Sequence, residues 1–360
     1  MPHPPGSRDP APRARDDQPL RAGHQHRAAH RVPGHARPLV WRLKLRQGCR
    51  IFQQQRTPEI LASLLEEAGV PRDRYRFKLS RKAYPPREHR VQYRESDWAF
   101  LCRLMEEEGL FYYFEHTAEE HTLIVADAPY AHEPLPEGDT LLLRPPTGAL
   151  ATGEHASSFT FAQEMQAGRV TLRNYSFKTP AVLLESEARA GGASEDLEVY
   201  DFPGESEDPR ATDEMAKLLL EERQASARVG TAESNVMRAC PGYVVALQGH
   251  PHDDLNRRYL LTAVDHQGAQ ALFEAVSPES RYTNRLRCIG AEIPFRAPRQ
   301  TPRPAIHGVQ TAVVVGPEGE EIHTDKHGRV RVRFHWDRVK WRDGHDSCWI
   351  RVSQSWAGQG

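Results

Sequence analysis

The sequence predicts a mainly β protein with a few helices, an α+β fold class, on three observations. Short runs of strand-forming residues bounded by turn residues recur from about residue 110 onward. Three stretches, at 57–69, 96–109 and 212–228, carry apolar residues at helical spacing. Near the end, GRVRVRFHW alternates strictly, as a half-buried antiparallel strand does.

The elements follow in order. Residues 1–37 are rich in Pro, Arg and His with almost no large apolar side chains, so a packed core is not expected and disorder is. Two other readings of that leader are a basic arm for an acidic partner and a misassigned start joined to a good domain. LVWRLKLRQGCRIFQQ alternates and predicts a strand. In TPEILASLLEEAG, Thr57 is placed to cap a helix, Pro58 to occupy its first turn and Gly69 to stop it. Ile60, Leu61, Leu64, Leu65 and Ala68 form its apolar face. The next helix has Ser96 as cap, a stripe of Trp98, Leu101, Leu104 and Met105 with Cys102, and Gly109 as stop. LFYYFEH and HTLIVAD predict a hairpin. RVTLRNYSF, PGYVVALQG, RYLLTAVDHQG and the weaker RLRCIGAEIPF predict further strands. Between them, Met215, Leu218, Leu219 and Ala225 share a face of the third helix. PFRAPRQTPRP, within 294–304, predicts an extended linker. Beyond it, Val330, Val332, Phe334 and Trp336 fall on one side of a strand and Arg331, Arg333 and His335 on the other. TDKHG reads as the turn before that strand and SCWIRVS as its partner. No long internal repeat is visible.

Composition narrows the function. The chain has 360 residues, enough for two or three domains. Its formal net charge of −1 gives no reason to expect nucleic acid. No apolar run approaches the roughly 18 residues of a spanning helix, and MPHPPGSRDP has no apolar signal-peptide core. Folding in the cytoplasm is the expectation. Five scattered cysteines without a CxxC predict buried thiols in a reducing compartment, not a disulfide framework or a zinc site.

Three consecutive glutamates, Glu106, Glu107 and Glu108, are the most conspicuous chemical feature. Glycoside hydrolysis needs two carboxylates facing each other across a cleft, whereas successive helical residues diverge by about 100°. Arg103 stands at a spacing that allows surface pairs with Glu106 and Glu107. Because the helix dipole disfavours acids at a C-terminus, arginines from another segment or subunit are expected there. GHPHDD, with His250, His252, Asp253 and Asp254, is the best metal-like cluster, but a polar inter-strand loop accounts for it. His323 and His327 flank a hairpin turn. No nucleophile elbow, Walker A loop or HExxH appears, and Arg331 and Arg333 lack the wider basic groove of a single-strand binder. The expectation is no catalytic residue, cofactor or metal.

In chain order, VQYRESDWAFLCRLMEEEGLFYYFEH, AGRVTLRNYSFKTP, EVYDFPGE, RACPGYVVALQGHP, VVVGPEGEEIHTDKHGRVRVRFHWDR and SCWIRVSQSWAGQG resemble the VgrG spike proteins of type VI secretion systems. The resemblance covers residues 38–360. It implies phage tail-hub-like β-barrel domains over 38–293, N-terminally incomplete, a Pro-rich linker at 294–304, and a C-terminally truncated OB-type β-barrel at 305–360. By the same resemblance, two related barrels per subunit give a homotrimer a pseudo-sixfold ring that seats on the hexameric Hcp tube. The implied partners are the type VI baseplate, with PAAR-type tip and effector proteins on a full spike, and a target membrane only transiently. Implied localisation is cytoplasmic before firing and extracellular after it. Trp98, Leu101 and Met105 are expected to pack the helix on the barrel, Gly109 to turn the chain, and Glu107 and Glu108 to serve assembly. Val330, Val332, Phe334 and Trp336 are expected to fill the small barrel. The alternatives are a non-functional gene fragment, an effector-carrying adaptor or binding module, and an effector enzyme.

Overall fold

The computed structural model describes residues 38–80, 84–145, 153–192, 194–204, 206–269, 281–320, 322–339 and 346–353. The leader, residues 1–37, lies outside them. The first element corrects the expected strand: Leu39–Leu45 is a 3₁₀ helix. Val40 and Leu43, three residues apart, are its buried pair, and a three-residue turn puts both on one side. Strand β1 (Gln47–Phe52) begins only after it.

Helix α1 (Thr57–Glu67) starts one residue earlier than expected, with Arg56 at the cap position. The Glu59 carboxylate accepts from the Arg56 backbone N–H at 2.8 Å. Thr57 instead donates its hydroxyl to Glu108 at 3.1 Å, because a buried carboxylate needs a donor more than a wet helix end does. Gly69, at φ 75°, ends the helix as expected. Strands β2 (Tyr75–Lys78) and β3 (Arg90–Ser96) lead to helix α2 (Asp97–Glu108) and the hairpin of β4 (Phe111–His116) and β5 (His121–Ala126). β3 pairs with β1, and β2 joins β5 in parallel beside β4. Leu43, Leu61, Leu64, Phe100, Leu101 and Leu104 form the centre of the core between these pieces.

The rest is β-rich. Strands β6 (Thr140–Leu142), β7 (Ala156–Gln163), β8 (Arg169–Asn174), β9 (Leu184–Arg189) and β10 (Glu198–Asp201) precede helix α3 (Pro209–Ala225). After it come β11 (Arg228–Ser234), β12 (Val244–Gln248), β13 (Arg258–Ala269) and β14 (Arg281–Gly290). Six strands form one sheet in the order β6-β12-β13-β14-β11-β7, and β10-β8-β9 form another. Helix α3 begins three residues before the expected 212 because Asp208 caps the Arg210 N–H at 3.0 Å and Pro209 occupies the first turn. Its Met215, Ala216 and Leu220 pack on Val170, Leu172 and Ala188. β9 escapes a sequence reading because its inward residues include Ser186 and Ala188, neither a strong strand signal.

A ribbon of β15 (Ala312–Val315) and β16 (Arg331–Phe334) follows the Pro-rich stretch. SCWIRVS was expected to pair with β16, but contributes one isolated bridge, Ile350 to Val330. The alternation of β16 does not become a buried and an open face: its four residues are all half-buried, as a two-stranded ribbon leaves them. The TDKHG turn is as expected. The Asp325 carboxylate accepts from the His327 and Arg329 N–H groups at 3.0 Å, and Arg329 holds its carboxyl well below the usual range. All five cysteines are free, but only Cys288 is buried; Cys49, Cys102, Cys240 and Cys348 are half-buried. No described helix is long and apolar enough to cross a membrane.

Candidate functional site

The acidic end of α2 is where distant parts of the chain meet. Ser96 caps the start of this helix, accepting from the Ala99 N–H at 3.1 Å. Asp97, nearly fully buried, takes Arg50 at 2.7 Å and Gln92 at 2.8 Å, where the helix dipole favours an anion. Trp98 stands at the outer rim of the helix, edge-on to Tyr112 with ring centres 5.3 Å apart. Leu101 and Met105 are buried in the helical core.

At the other end, Gly109 adopts φ 68°, and the Leu110 N–H reaches back to the Met105 carbonyl at 2.8 Å. A Cβ at Gly109 would also stand 2.7 Å from Leu218 Cδ2 of α3, so glycine is needed for both conformation and contact. Glu107 and Glu108 are each 5% exposed. Glu108 is bonded by Thr57 and by Arg87, whose Nε lies at 2.9 Å. Glu107 faces Arg90 and Arg303, both at 3.3 Å, and Arg103 at 3.6 Å. Arginines from other segments therefore surround both carboxylates within one chain. Burial lowers the pKa of Arg90, with Glu107 opposing the shift.

Arg103 pairs with Glu107 as its spacing allows, at 3.6 Å, but inside the protein and not at its surface. It is buried, donates to Glu95 at 2.7 and 3.0 Å and to the Val91 carbonyl at 2.7 Å, and lies over the Phe100 ring. Glu106 faces the Pro-rich stretch, accepting from the Thr301 N–H at 3.0 Å and hydroxyl at 2.7 Å.

Sequence reasoning missed the rest of this clasp. Arg296 donates to Glu221 at 2.8 Å and to the Gly109 carbonyl at 2.9 Å. Arg299 bonds Glu222 through its backbone N–H at 3.1 Å and reaches the Glu107 carbonyl at 3.4 Å. Two guanidinium groups thus cover carbonyls left open by the end of α2, offsetting the misplaced acids. The available signal was three arginines, Arg296, Arg299 and Arg303, within PFRAPRQTPRP, matching in number the three glutamates at the end of α2.

The β15–β16 ribbon meets β3 at a second junction. Trp336 stacks on Phe334, with centres 5.0 Å apart, and lies edge-on to Tyr93 at 5.5 Å. Gln310 bridges the pair, accepting from Trp336 Nε1 at 3.0 Å and donating from Nε2 to the Tyr93 hydroxyl at 2.9 Å. Val330, Val332, Phe334 and Trp336 are all half-buried.

GHPHDD is organised as a loop: the His250 N–H donates to Asn256 at 2.8 Å and the His252 N–H to His250 Nδ1 at 3.0 Å. His323 pairs with Glu320 at 2.9 Å, and His327 packs on Phe177. Among the described residues no group of three or more His, Cys, Asp or Glu side chains converges as a metal site.

The profile of the phage tail baseplate hub (GPD) family matches residues 18–272, beginning inside the stretch read as a leader. The chain belongs to this hub family. Its relatives include the type VI secretion system spike protein VgrG1a of Pseudomonas aeruginosa, 38% identical over 94% of this chain and 52% of that protein. VgrG1b of the same organism is 37% identical over 90% of this chain and 44% of its own length. The actin cross-linking toxin VgrG1 of Vibrio cholerae is 38% identical over 89% of this chain but 29% of the toxin. This hub chain thus spans about half the length of the spike relatives. A solved structure of Escherichia coli c3393, described as a type VI secretion component similar to T4 tail proteins gp27 and gp5, superposes with a TM-score of 0.59. At 21% identity, over 87% of this chain and 70% of that one, it shows the shared fold. The hub fold and the kinship with VgrG spikes both follow; the OB-type character of the ribbon region does not.

Proposed function

We propose that this chain is the hub portion of a type VI secretion spike, a non-enzymatic structural subunit. The observation that carries this reading is the likeness to VgrG spikes along 94% of the chain, through the hub and into the ribbon. The geometry supports it: the most conspicuous acids, Glu106, Glu107 and Glu108, are engaged in holding α2 to Thr57, Arg87 and the Pro-rich stretch. Three copies form a ring that caps the Hcp tube and docks on the baseplate. The tip and effector proteins ride on the completed spike, which passes from the cytoplasm through a target membrane when the sheath contracts. Residues 38–293 serve as the hub, 294–304 as the strap, and 305–360 as the base of the spike. Trp98, Leu101, Met105, Gly109, Glu107 and Glu108 hold the hub in its assembling shape, and Val330, Val332, Phe334 and Trp336 seat the spike base.

Light scattering after size exclusion tests this. The expected mass is three times the 40.8 kDa of one chain, with retention of added Hcp hexamer. A stable single-chain mass that captures no Hcp would overturn the reading.

A further inference from the structure

The outer end of the β10-β8-β9 sheet is unusually apolar for a free surface. Tyr175, Val182, Leu183, Tyr200 and Phe202 surround a groove of about 550 Å³, and each is between 49% and 63% exposed. With roughly 200 Å² for a large side chain, they offer on the order of 500 Å² of apolar surface. A standard interface takes about 800 Å² from each partner, roughly 60% of it apolar. This patch therefore matches the apolar share of one side of a stable contact, and its tyrosines and phenylalanine are of the type that anchors one.

The same chain carries a second, different patch. Val313 and Val314 point to opposite faces of β15, yet are 56% and 61% exposed. Val309 and Ile322, in the flanking segments, are exposed as well. Ala312–Val315 contains no charge and no proline, the usual protections of an edge strand. One patch is aromatic and concave, the other aliphatic and narrow.

We propose that the aromatic groove receives the β15 ribbon of a second copy of this chain. The inference rests on the trimer reading above and supplies its contact. A ring of three cannot be closed by one self-complementary patch; each chain must present two different surfaces, one to each neighbour. Groove and ribbon are such a pair.

The test uses two variants of the full chain, Leu183→Glu/Tyr200→Glu in the groove and Val313→Glu/Val314→Glu in the ribbon. All four side chains are exposed, so circular dichroism and the melting temperature should stay near the parent values. Each variant alone is expected to show a threefold loss of mass, from trimer to single chain. Mixed one to one, they are expected to form a dimer and nothing larger, since one intact groove and one intact ribbon remain between them. Tyr200→Phe should remain trimeric. Trimers from both variants, or a mixture that stays monomeric, would overturn the groove-to-ribbon contact while leaving the trimer intact. A monomeric parent chain would overturn both the contact and the trimer.

Discussion

Glu107 sits among three guanidinium groups, and its removal should be felt there before anywhere else. Truncating one member of a buried charge cluster leaves the others uncompensated, which typically costs about 3–5 kcal/mol. Glu107→Ala and Glu108→Ala are therefore expected to lower urea stability by about 3 kcal/mol each. Glu106→Ala, which loses hydrogen bonds to Thr301 in a partly open position, should cost about 1 kcal/mol. Equal and negligible losses at all three positions would show that the acidic run is an ordinary solvated helix end. Gly109→Ala combines a left-handed backbone with a clash against Leu218, so a loss of about 2–4 kcal/mol is expected in the same titration. The sequence disclosed that glycine and the serine cap because both act through neighbours a few residues away. It did not disclose the inward turn of Thr57, whose partner Glu108 lies far along the chain.

At the scale of elements, the segment around Arg296–Thr301 is a strap with fixed attachments on α2 and α3. Hydrogen bonds involving a charged group contribute about 1.5–3 kcal/mol each, so these contacts can hold an extended segment that has no secondary structure. Arg296→Ala/Arg299→Ala should raise amide exchange across the last turn of α2 and the Pro-rich stretch, while the β13–β14 pair keeps its protection. Unchanged exchange at the end of α2 would mean that these guanidinium groups are passengers. Residues 294–304 carry neither helix nor strand, since proline disfavours helix and removes backbone donors. Their attachment was not legible, since side chains pair across the chain according to folded distance, not spacing. The ribbon teaches the converse: perfect alternation in β16 produced no buried face, because alternation orients side chains without supplying anything to cover them.

At the scale of the whole molecule, a half-buried histidine links the hairpin to the strands beside it. His132 donates from Nδ1 to the Gly242 carbonyl at 2.8 Å and stacks on Phe111. Burial lowers its pKa, and the carbonyl bond partly opposes that shift. The unfolded chain therefore binds a proton at a higher pH than the folded chain does. The resulting stability is fully present above the unfolded imidazole value, about 6.5, and declines as pH falls from there toward the folded value. Melting temperature should drop between pH 7 and 5, and His132→Gln should flatten that drop. An identical pH slope in the variant would assign the dependence to other groups.

The sequence alone determined the fold class, helices α1, α2 and α3, the β4–β5 hairpin, the long strand β13 and the kinship with VgrG spikes. Those properties are carried by periodicity, caps, turn residues and long ordered motifs, all local along the chain. Only the tertiary structure decided that Leu39–Leu45 winds into a 3₁₀ helix, that the SCWIRVS segment does not become a full strand, and that the three glutamates close a clasp. Each depends on which surfaces are brought together after folding, and burial, charge pairing and sheet edges are properties of that arrangement.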